Sequence, residues 1–217
     1  VVGKEKGSGL LCNPDRLEAF LTNVCERSPL PVSVKTRVGI ANDDEYDELL
    51  ALFCRCGITE IIVHPRVQKD FYSGSPRQEL YGKTLELAPF PVTYNGDIFT
   101  LGDHDALLAA YPQTRHVMIG RGIVANPALA RMIRGGEGLT REELERFHNE
   151  LYQAYTDDMG GNAVFRMKEW WSYAEHAFAD PSSVHRIMRK TRRADEYEAA
   201  ACKIFSTEKL ADSPRFS

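Results

Sequence analysis

The sequence lacks the marks of several protein classes. No apolar run approaches the ~20 residues that a helix needs to cross a bilayer. The net charge is −4, so the chain as a whole does not attract nucleic acid, and such a partner would need a local basic surface. Its five cysteines are an odd number at irregular spacing, which indicates reduced thiols and a cytoplasmic protein. The pair Cys54 and Cys56 has no second Cys or His pair at ligand spacing, so we predict no metal site.

What the sequence does contain is a repeated alternation of strand and helix signals. Four short apolar runs recur at comparable intervals, at residues 32–34, 61–63, 92–94 and 117–119. Helix-like segments occupy the intervals, and the clearest covers residues 44–56 with Gly57 as its stop. Further helices are predicted at residues 14–27, 102–110 and 126–133. This order predicts βα units and a parallel sheet.

The character of the chain changes at about Leu139. Thr140 followed by Glu143 is a capping-box pattern that predicts a long helix, which Gly160-Gly161 ends. Helices are also expected at about residues 163–178, 182–190 and 194–205. We therefore predict an α/β domain at residues 1–138 and an all-helical domain at residues 139–217. Four βα units make half of a closed (βα)8 TIM barrel, and the alternative is an open, flavodoxin-like sheet.

Polar side chains or glycines follow every predicted strand. They are Lys35-Thr36-Arg37, His64-Pro65-Arg66, Asn95-Gly96-Asp97 and Gly120-Arg121-Gly122. Because the carboxyl ends of parallel strands carry the working residues of such folds, this pattern predicts a binding site. Two glycines and the Arg121 fork suit a phosphate. Taken singly, each group also fits a plain alternative: a solvated lysine, a structural histidine or an ordinary Asn-Gly turn.

A basic segment lies near the end of the chain. Residues 185–193 read "HRIMRKTRR", and "FRMKEWWSY" upstream adds Arg166, Lys168 and two tryptophans. Cations interleaved with aromatic rings can bind a phosphate backbone and stack on bases. The alternative is a solvated basic face with the tryptophans in a helical core.

Together these motifs resemble one known family. "VSVKTRVGI", "IIVHPRVQKDFYSG", "PVTYNGDIF" and "VMIGRGIVANPAL", in this order, strongly resemble the tRNA-dihydrouridine synthase family, and "RMKEWWSY" fits its helical domain. The resemblance implies a flavin-binding TIM barrel followed by a helical bundle. It also implies that NADPH reduces FMN, which reduces the C5–C6 bond of tRNA uridines. By motif match, FMN would be bound by Lys35, His64, Asn95, Gly96, Asp97, Gly120 and Arg121. Contacts to RNA are expected from Arg37, Arg66, Arg166 and Lys168.

The sequence departs from the family at one important place. The family's proton donor is a cysteine in an Asn-x-Gly-Cys-Pro loop, and no such motif occurs here, since Cys12 lacks that context. No catalytic residue is therefore assigned, and the chain resembles a member without the N-terminal half of the barrel. Half a barrel exposes sheet edges, so we expect self-association or pairing with the missing half. We also expect the isolated chain to bind FMN weakly and not to reduce uridine.

Two other functions fit parts of this pattern. An FMN-dependent oxidoreductase of a small metabolite would keep the barrel, although it has no need of a basic helical domain. A non-catalytic RNA-binding remnant would explain the missing cysteine.

Overall fold

The structure is a computed structural model that describes residues 6–211. The chain forms two compact units. The first runs to Asp97 and also includes Leu107–Met118. The second comprises Ile98–Ala106 and the chain from Ile119 onward. Within the described part of the chain, no helix is long and apolar enough to cross a membrane.

The first unit contains the predicted parallel sheet. Its strands are β1 (Ser33–Arg37), β2 (Glu60–His64), β3 (Val92–Tyr94) and β4 (His116–Val117), and they lie in the order in which they occur in the sequence. All three strand pairs are parallel, and Arg37 at the end of β1 is in register with His64 at the end of β2. The predicted α/β class and parallel sheet are confirmed.

One helix precedes β1 and three helices join the strands. They are α1 (Pro14–Arg27), α2 (Tyr46–Arg55), α3 (Gln78–Leu87) and α4 (Leu101–Ala110), and a short 3-10 helix, Gly7–Cys12, precedes α1. Asn13 caps α1 by accepting a hydrogen bond from the Arg16 backbone N–H, and Pro14 occupies the first helical position, where its missing N–H is not needed. In the core, the buried Tyr46 hydroxyl shares a 2.6 Å hydrogen bond with Thr84.

The second unit is helical from Arg121 onward. Its helices are α5 (Arg121–Ala125), α6 (Leu129–Ile133), α7 (Arg141–Met159), α8 (Ala163–Ala174), α9 (Pro181–Arg189) and α10 (Ala194–Thr207). The capping box at the start of α7 is present, because Thr140 Oγ1 accepts from the Glu143 N–H and Glu143 Oε2 accepts from the Thr140 N–H, both at 3.2 Å. Gly160, with φ +57°, ends α7, as predicted. The proposed boundary between residues 138 and 139 stays a prediction.

A hydrogen-bonded aromatic cluster fills the core of the second unit. His148 is 2% exposed, and its Nε2 lies 2.6 Å from the Tyr197 hydroxyl. That hydroxyl also accepts from Trp171 Nε1 at 3.1 Å. Trp170 is buried as well, and its Nε1 has no hydrogen-bond partner within residues 6–211. Both tryptophans therefore belong to the helical core and are not available to stack on bases.

Candidate functional site

A pocket of about 350 Å³ lies at the carboxyl ends of β1 and β2, within the first unit. This volume falls in the range of small-ligand sites. Leu17 of α1, Val34 of β1 and Phe53 of α2 contribute apolar surface, and Gly7 and Ser8 of the 3-10 helix also line it. Its polar lining includes Lys35, Thr36, Arg37, His64 and Tyr72. Two of the predicted cofactor residues, and one predicted RNA contact, thus share a single cavity.

Lys35 lines the pocket with an ammonium group that is not engaged by any of residues 6–211. Its ammonium makes no hydrogen bond or ion pair with any residue that the structure describes. Partial desolvation by the surrounding protein, and then the nearby Arg37 charge, lower its pKa. An ammonium in this environment can bind a carbonyl oxygen or an anion.

His64 presents a neutral imidazole to the pocket. The residue is 7% exposed, and its ring centroid lies 6.2 Å from that of Tyr72. Burial, followed by the charges of Arg37, Lys35 and Arg66, lowers the pKa of His64 to about 4, and Asp97 opposes this shift. At neutral pH the ring therefore offers one N–H donor and one acceptor nitrogen to a ligand.

Arg37 holds the loop that follows β2. Its Nη1 donates to the Val67 carbonyl at 2.6 Å, and its Nη2 donates to the Phe71 carbonyl at 2.8 Å. The guanidinium carbon lies 5.9 Å from the centre of the Tyr72 ring. Both of these hydrogen bonds go to backbone carbonyls, and the charge of the nearby Asp70 carboxylate also acts on the guanidinium.

The Asn95-Gly96-Asp97 turn is tied into the sheet. Asn95 Nδ2 donates to the Met118 carbonyl at 2.8 Å, and the Asn95 N–H donates to the Val63 carbonyl at 2.9 Å. A Cβ on Gly96 would overlap the ring and hydroxyl of the buried Tyr94. The fold itself therefore requires glycine at position 96, whether or not a ligand approaches it.

Arg66 is fully buried, and each nitrogen of its guanidinium donates a hydrogen bond to the protein. Nη1 and Nη2 bind the two Asp97 carboxylate oxygens at 3.0 and 2.7 Å. Nε donates to the Ser73 carbonyl at 3.4 Å, and Nη2 also donates to the Gly74 carbonyl. Direct contact between Arg66 and RNA, which stays a prediction, would require these bonds to break.

In the second unit, Gly120-Arg121-Gly122 begins the five-residue helix α5. Gly120 is exposed with open space around it, whereas a Cβ on Gly122 would overlap the Ile98 carbonyl. The Arg121 guanidinium carbon lies 5.1 Å from the centre of the Phe99 ring, a cation–π contact. Gly122 therefore serves close packing, while Gly120 leaves the backbone accessible.

The two predicted RNA contacts of α8 differ from each other. Arg166 is exposed and forms a 2.8 Å ion pair with Glu169. Lys168 Nζ donates to the carbonyls of Arg189 and Thr191 at 3.1 and 2.9 Å, so it caps the end of α9.

The basic segment lies at the end of α9. Val184 and Met188 bury one face of that helix. Arg189, Lys190 and Arg192 are exposed and form no ion pair within residues 6–211. The cationic surface of this unit is therefore on α9 and the residues after it.

Sequence reasoning missed two parts of the first-unit site. It assigned no role to Tyr72, which lines the pocket, and it treated Arg66 and Asp97 as separate groups. The aromatic pair within "KDFYSG" was the available signal for Tyr72. No local signal indicates the Arg66–Asp97 pair, because its members are 31 positions apart.

Parallel strands joined by helices define an α/β protein, and the cation-lined pocket at their carboxyl edge is its candidate ligand site. The family model described as dihydrouridine synthase (Dus) matches residues 1–206, and the chain belongs to this family.

Several similar proteins have names that contain the words tRNA-dihydrouridine and synthase. A tRNA-dihydrouridine(16) synthase of Pseudomonas syringae pv. tomato is 28% identical over 87% of this chain and 62% of its own length. One from Neisseria meningitidis serogroup A is 27% identical over 90% of this chain and 62% of its own. A probable tRNA-dihydrouridine synthase 2 of Bacillus subtilis is 32% identical over 73% of this chain and 50% of its own. The chain therefore spans less than two thirds of the length of these relatives.

Proposed function

We propose that this chain is part of an FMN-dependent enzyme that uses NADPH to reduce uridine to 5,6-dihydrouridine in tRNA. The observation that carries the proposal is the pocket shared by Lys35, Arg37 and His64 in a chain of the dihydrouridine synthase family. When bound and reduced by NADPH, FMN would supply the hydride for the C5–C6 bond, and a proton would complete the reduction. The finer fold that we propose is the C-terminal half of a TIM barrel at residues 1–138, followed by a helical domain at residues 139–217.

The residues of the pocket fit a flavin ring. Apolar walls suit the planar ring, and the unpartnered Lys35 ammonium would favour its anionic reduced form. The neutral His64 imidazole would hydrogen-bond to ring heteroatoms, and we assign the turn at Asn95, Gly96 and Asp97 to the same cofactor. In this assignment Asp97 acts through the Arg66 pair that fixes the turn.

In the second unit, we propose that Gly120 and Arg121 bind a phosphate group. The open space around Gly120 lets an oxyanion approach its backbone, and the Arg121 guanidinium supplies a fork of donors. In the intact enzyme, Arg121→Ala should lower flavin occupancy.

We propose tRNA as the partner of the exposed cations. Arg37 and Arg166 are solvent-accessible, and the unpaired cations after α9 add to them. Lys168 would act by holding the end of α9, and Arg66 by holding the loop after β2. This assignment predicts that tRNA binding weakens steeply with added salt.

Flavin binding tests the cofactor site directly. FMN titrated into the purified chain should bind, though weakly, with a change in the flavin absorbance spectrum. Lys35→Met should weaken this binding at least tenfold. Lys83→Met, which removes an ion-paired lysine on α3, should leave it unchanged. Equal FMN affinity for Lys35→Met and the unmodified chain would refute the site.

Turnover tests the reaction separately. Unmodified tRNA, FMN and NADPH should give dihydrouridine with the intact enzyme and none with the 217-residue chain. A flavoprotein that does not reduce tRNA but oxidises NADPH with a small acceptor molecule would instead support an oxidoreductase that acts on a small metabolite. A chain that binds tRNA but no flavin would support the non-catalytic RNA-binding alternative.

A further inference from the structure

The loop after β2, residues 65–77, presents an aromatic ring that is largely exposed to solvent. Phe71 is 71% exposed, and its ring contacts no other aromatic ring among the described residues. It is also the one non-glycine residue with positive φ, at +51°, in that part of the chain. A bulky side chain rarely adopts this backbone conformation. Neither the exposure nor the conformation helps the chain to fold.

The surrounding bonds fix this conformation in place. Arg37 donates to the Phe71 carbonyl, and the Phe71 N–H donates to the Gln68 carbonyl at 3.1 Å. On either side, the Gln68 N–H donates to the Gly39 carbonyl at 2.9 Å, and Arg66 binds the Ser73 and Gly74 carbonyls. Strain that the surroundings impose on an exposed residue points to function, because folding alone does not select for it.

The charge around the loop indicates what covers the ring. Asp97 pairs with Arg66, whereas Asp70 and Asp43 share Arg77, so these three carboxylates face two arginines. Lys35 and the exposed Lys69 form no ion pair among residues 6–211, and the guanidinium of Arg37 hydrogen-bonds only to backbone carbonyls, although the Asp70 charge acts on it. The excess charge beside Phe71 is therefore positive. An aromatic face beside uncompensated cations matches the way in which single-stranded nucleic acid is bound, with bases on the rings and phosphates on the cations.

We propose that Phe71 is a stacking platform for an unpaired base of the RNA, outside the pocket that Lys35 and His64 line. This inference rests on the proposed function, because it supplies a further contact to the same tRNA. The ring would hold a base, and Lys69 and Arg37 would face the adjoining phosphates. No bond to the cofactor is involved, so the platform can be tested by binding alone.

The experiment compares tRNA affinity, by fluorescence anisotropy, for the full chain and its Phe71 variants. Phe71→Ala should weaken binding about five- to hundredfold, the usual loss when one stacking ring is removed. Because no charge changes, the slope of log Kd against log salt should not change. Phe71→Trp, which keeps a flat ring, should bind like the unmodified chain.

The chain offers a matched control. Leu30 is 72% exposed and precedes β1, at the opposite end of the sheet. Leu30→Ala should leave tRNA affinity unchanged. Phe71→Gly should lose affinity as Phe71→Ala does, while its thermal midpoint rises by about 2 to 4 °C, because glycine tolerates positive φ.

Several outcomes would overturn the platform. The first is equal affinity for Phe71→Ala and the unmodified chain. A change of oligomeric state in Phe71→Ala with unchanged affinity would assign the ring to a protein contact. A loss that comes with a smaller salt slope would mean displaced phosphate contacts. If the unmodified chain does not bind tRNA, the proposed function fails first, and this result is distinct from a failure of Phe71 alone.

Discussion

Arg66 and Asp97 form a two-pronged ion pair in which the arginine is wholly buried and the aspartate reaches the surface. The pair joins the loop after β2 to the turn after β3. Both segments carry residues assigned to the cofactor or the RNA. The pair thus links two parts of the candidate site through one guanidinium.

Removing this buried guanidinium should destabilise the protein strongly. Arg66→Met should lower the free energy of unfolding by about 1.5–3 kcal/mol, the range for hydrogen bonds to a charged group, because the remaining Asp97 reaches the surface. Arg55→Met is the control, because Arg55 also binds both carboxylate oxygens of one residue, Glu18, but does so at the surface and through Nε and Nη2. It should change the free energy of unfolding far less, because solvent screens an exposed pair. Urea unfolding measures the free energy of unfolding of both variants. Similar losses in the two variants would show that burial of the arginine does not determine how much its ion pair contributes.

His64 should make the protein less stable in acid. Its pKa of about 4 lies below the ordinary value of 6.5, so between these values the unfolded chain binds more protons than the folded one. The free energy of unfolding therefore falls as pH drops from 6.5 to 4, by about 1–2 kcal/mol from this residue once solvent screening is allowed for. Subtracting the profile of His64→Gln from that of the unmodified chain isolates the contribution. Parallel profiles would refute it.

The Tyr197 hydroxyl should contribute more to the free energy of unfolding than a hydroxyl at the protein surface. Tyr197→Phe leaves His148 Nε2 and Trp171 Nε1 buried without a partner, at a cost of about 1–3 kcal/mol. The control is Tyr155→Phe on α7, since the Tyr155 hydroxyl makes no hydrogen bond with the described residues. We expect a thermal midpoint close to that of the unmodified protein for this control only.

Gly96→Ala should destabilise the fold even when no flavin is present. The new methyl group would overlap the Tyr94 ring, which is 1% exposed and cannot move without disturbing the core. Overpacking of this kind costs about 1–3 kcal/mol. Gly138→Ala, where the added carbon meets open space, should be tolerated. A flavin-free Gly96→Ala protein as stable as the unmodified one would show that the glycine serves the ligand alone.

The sequence predicted the features that depend on local pattern. The four short apolar runs predicted the parallel sheet, and the spacing of Thr140 and Glu143 predicted the start of α7. Helix α3 was not predicted, because Gly82 at its centre weakens helix propensity. The structure shows why glycine occupies position 82, because a Cβ there would lie 2.6 Å from the Tyr111 ring.

The roles of individual arginines and lysines were harder to predict. Arg37 and Arg66 look alike in the sequence, since each lies two positions after a residue assigned to the flavin. Arg66 is buried because Asp97, 31 positions away, binds it. Lys168 likewise caps carbonyls 21 and 23 positions along the chain. Contacts over such distances follow from tertiary packing, which local pattern does not record.

The order of the sheet, in which each strand pairs with the next one along the chain, has a consequence for biosynthesis. Every new strand finds its docking edge already made by the strand before it. The first unit can therefore assemble progressively as the ribosome releases the polypeptide, without waiting for a distant segment.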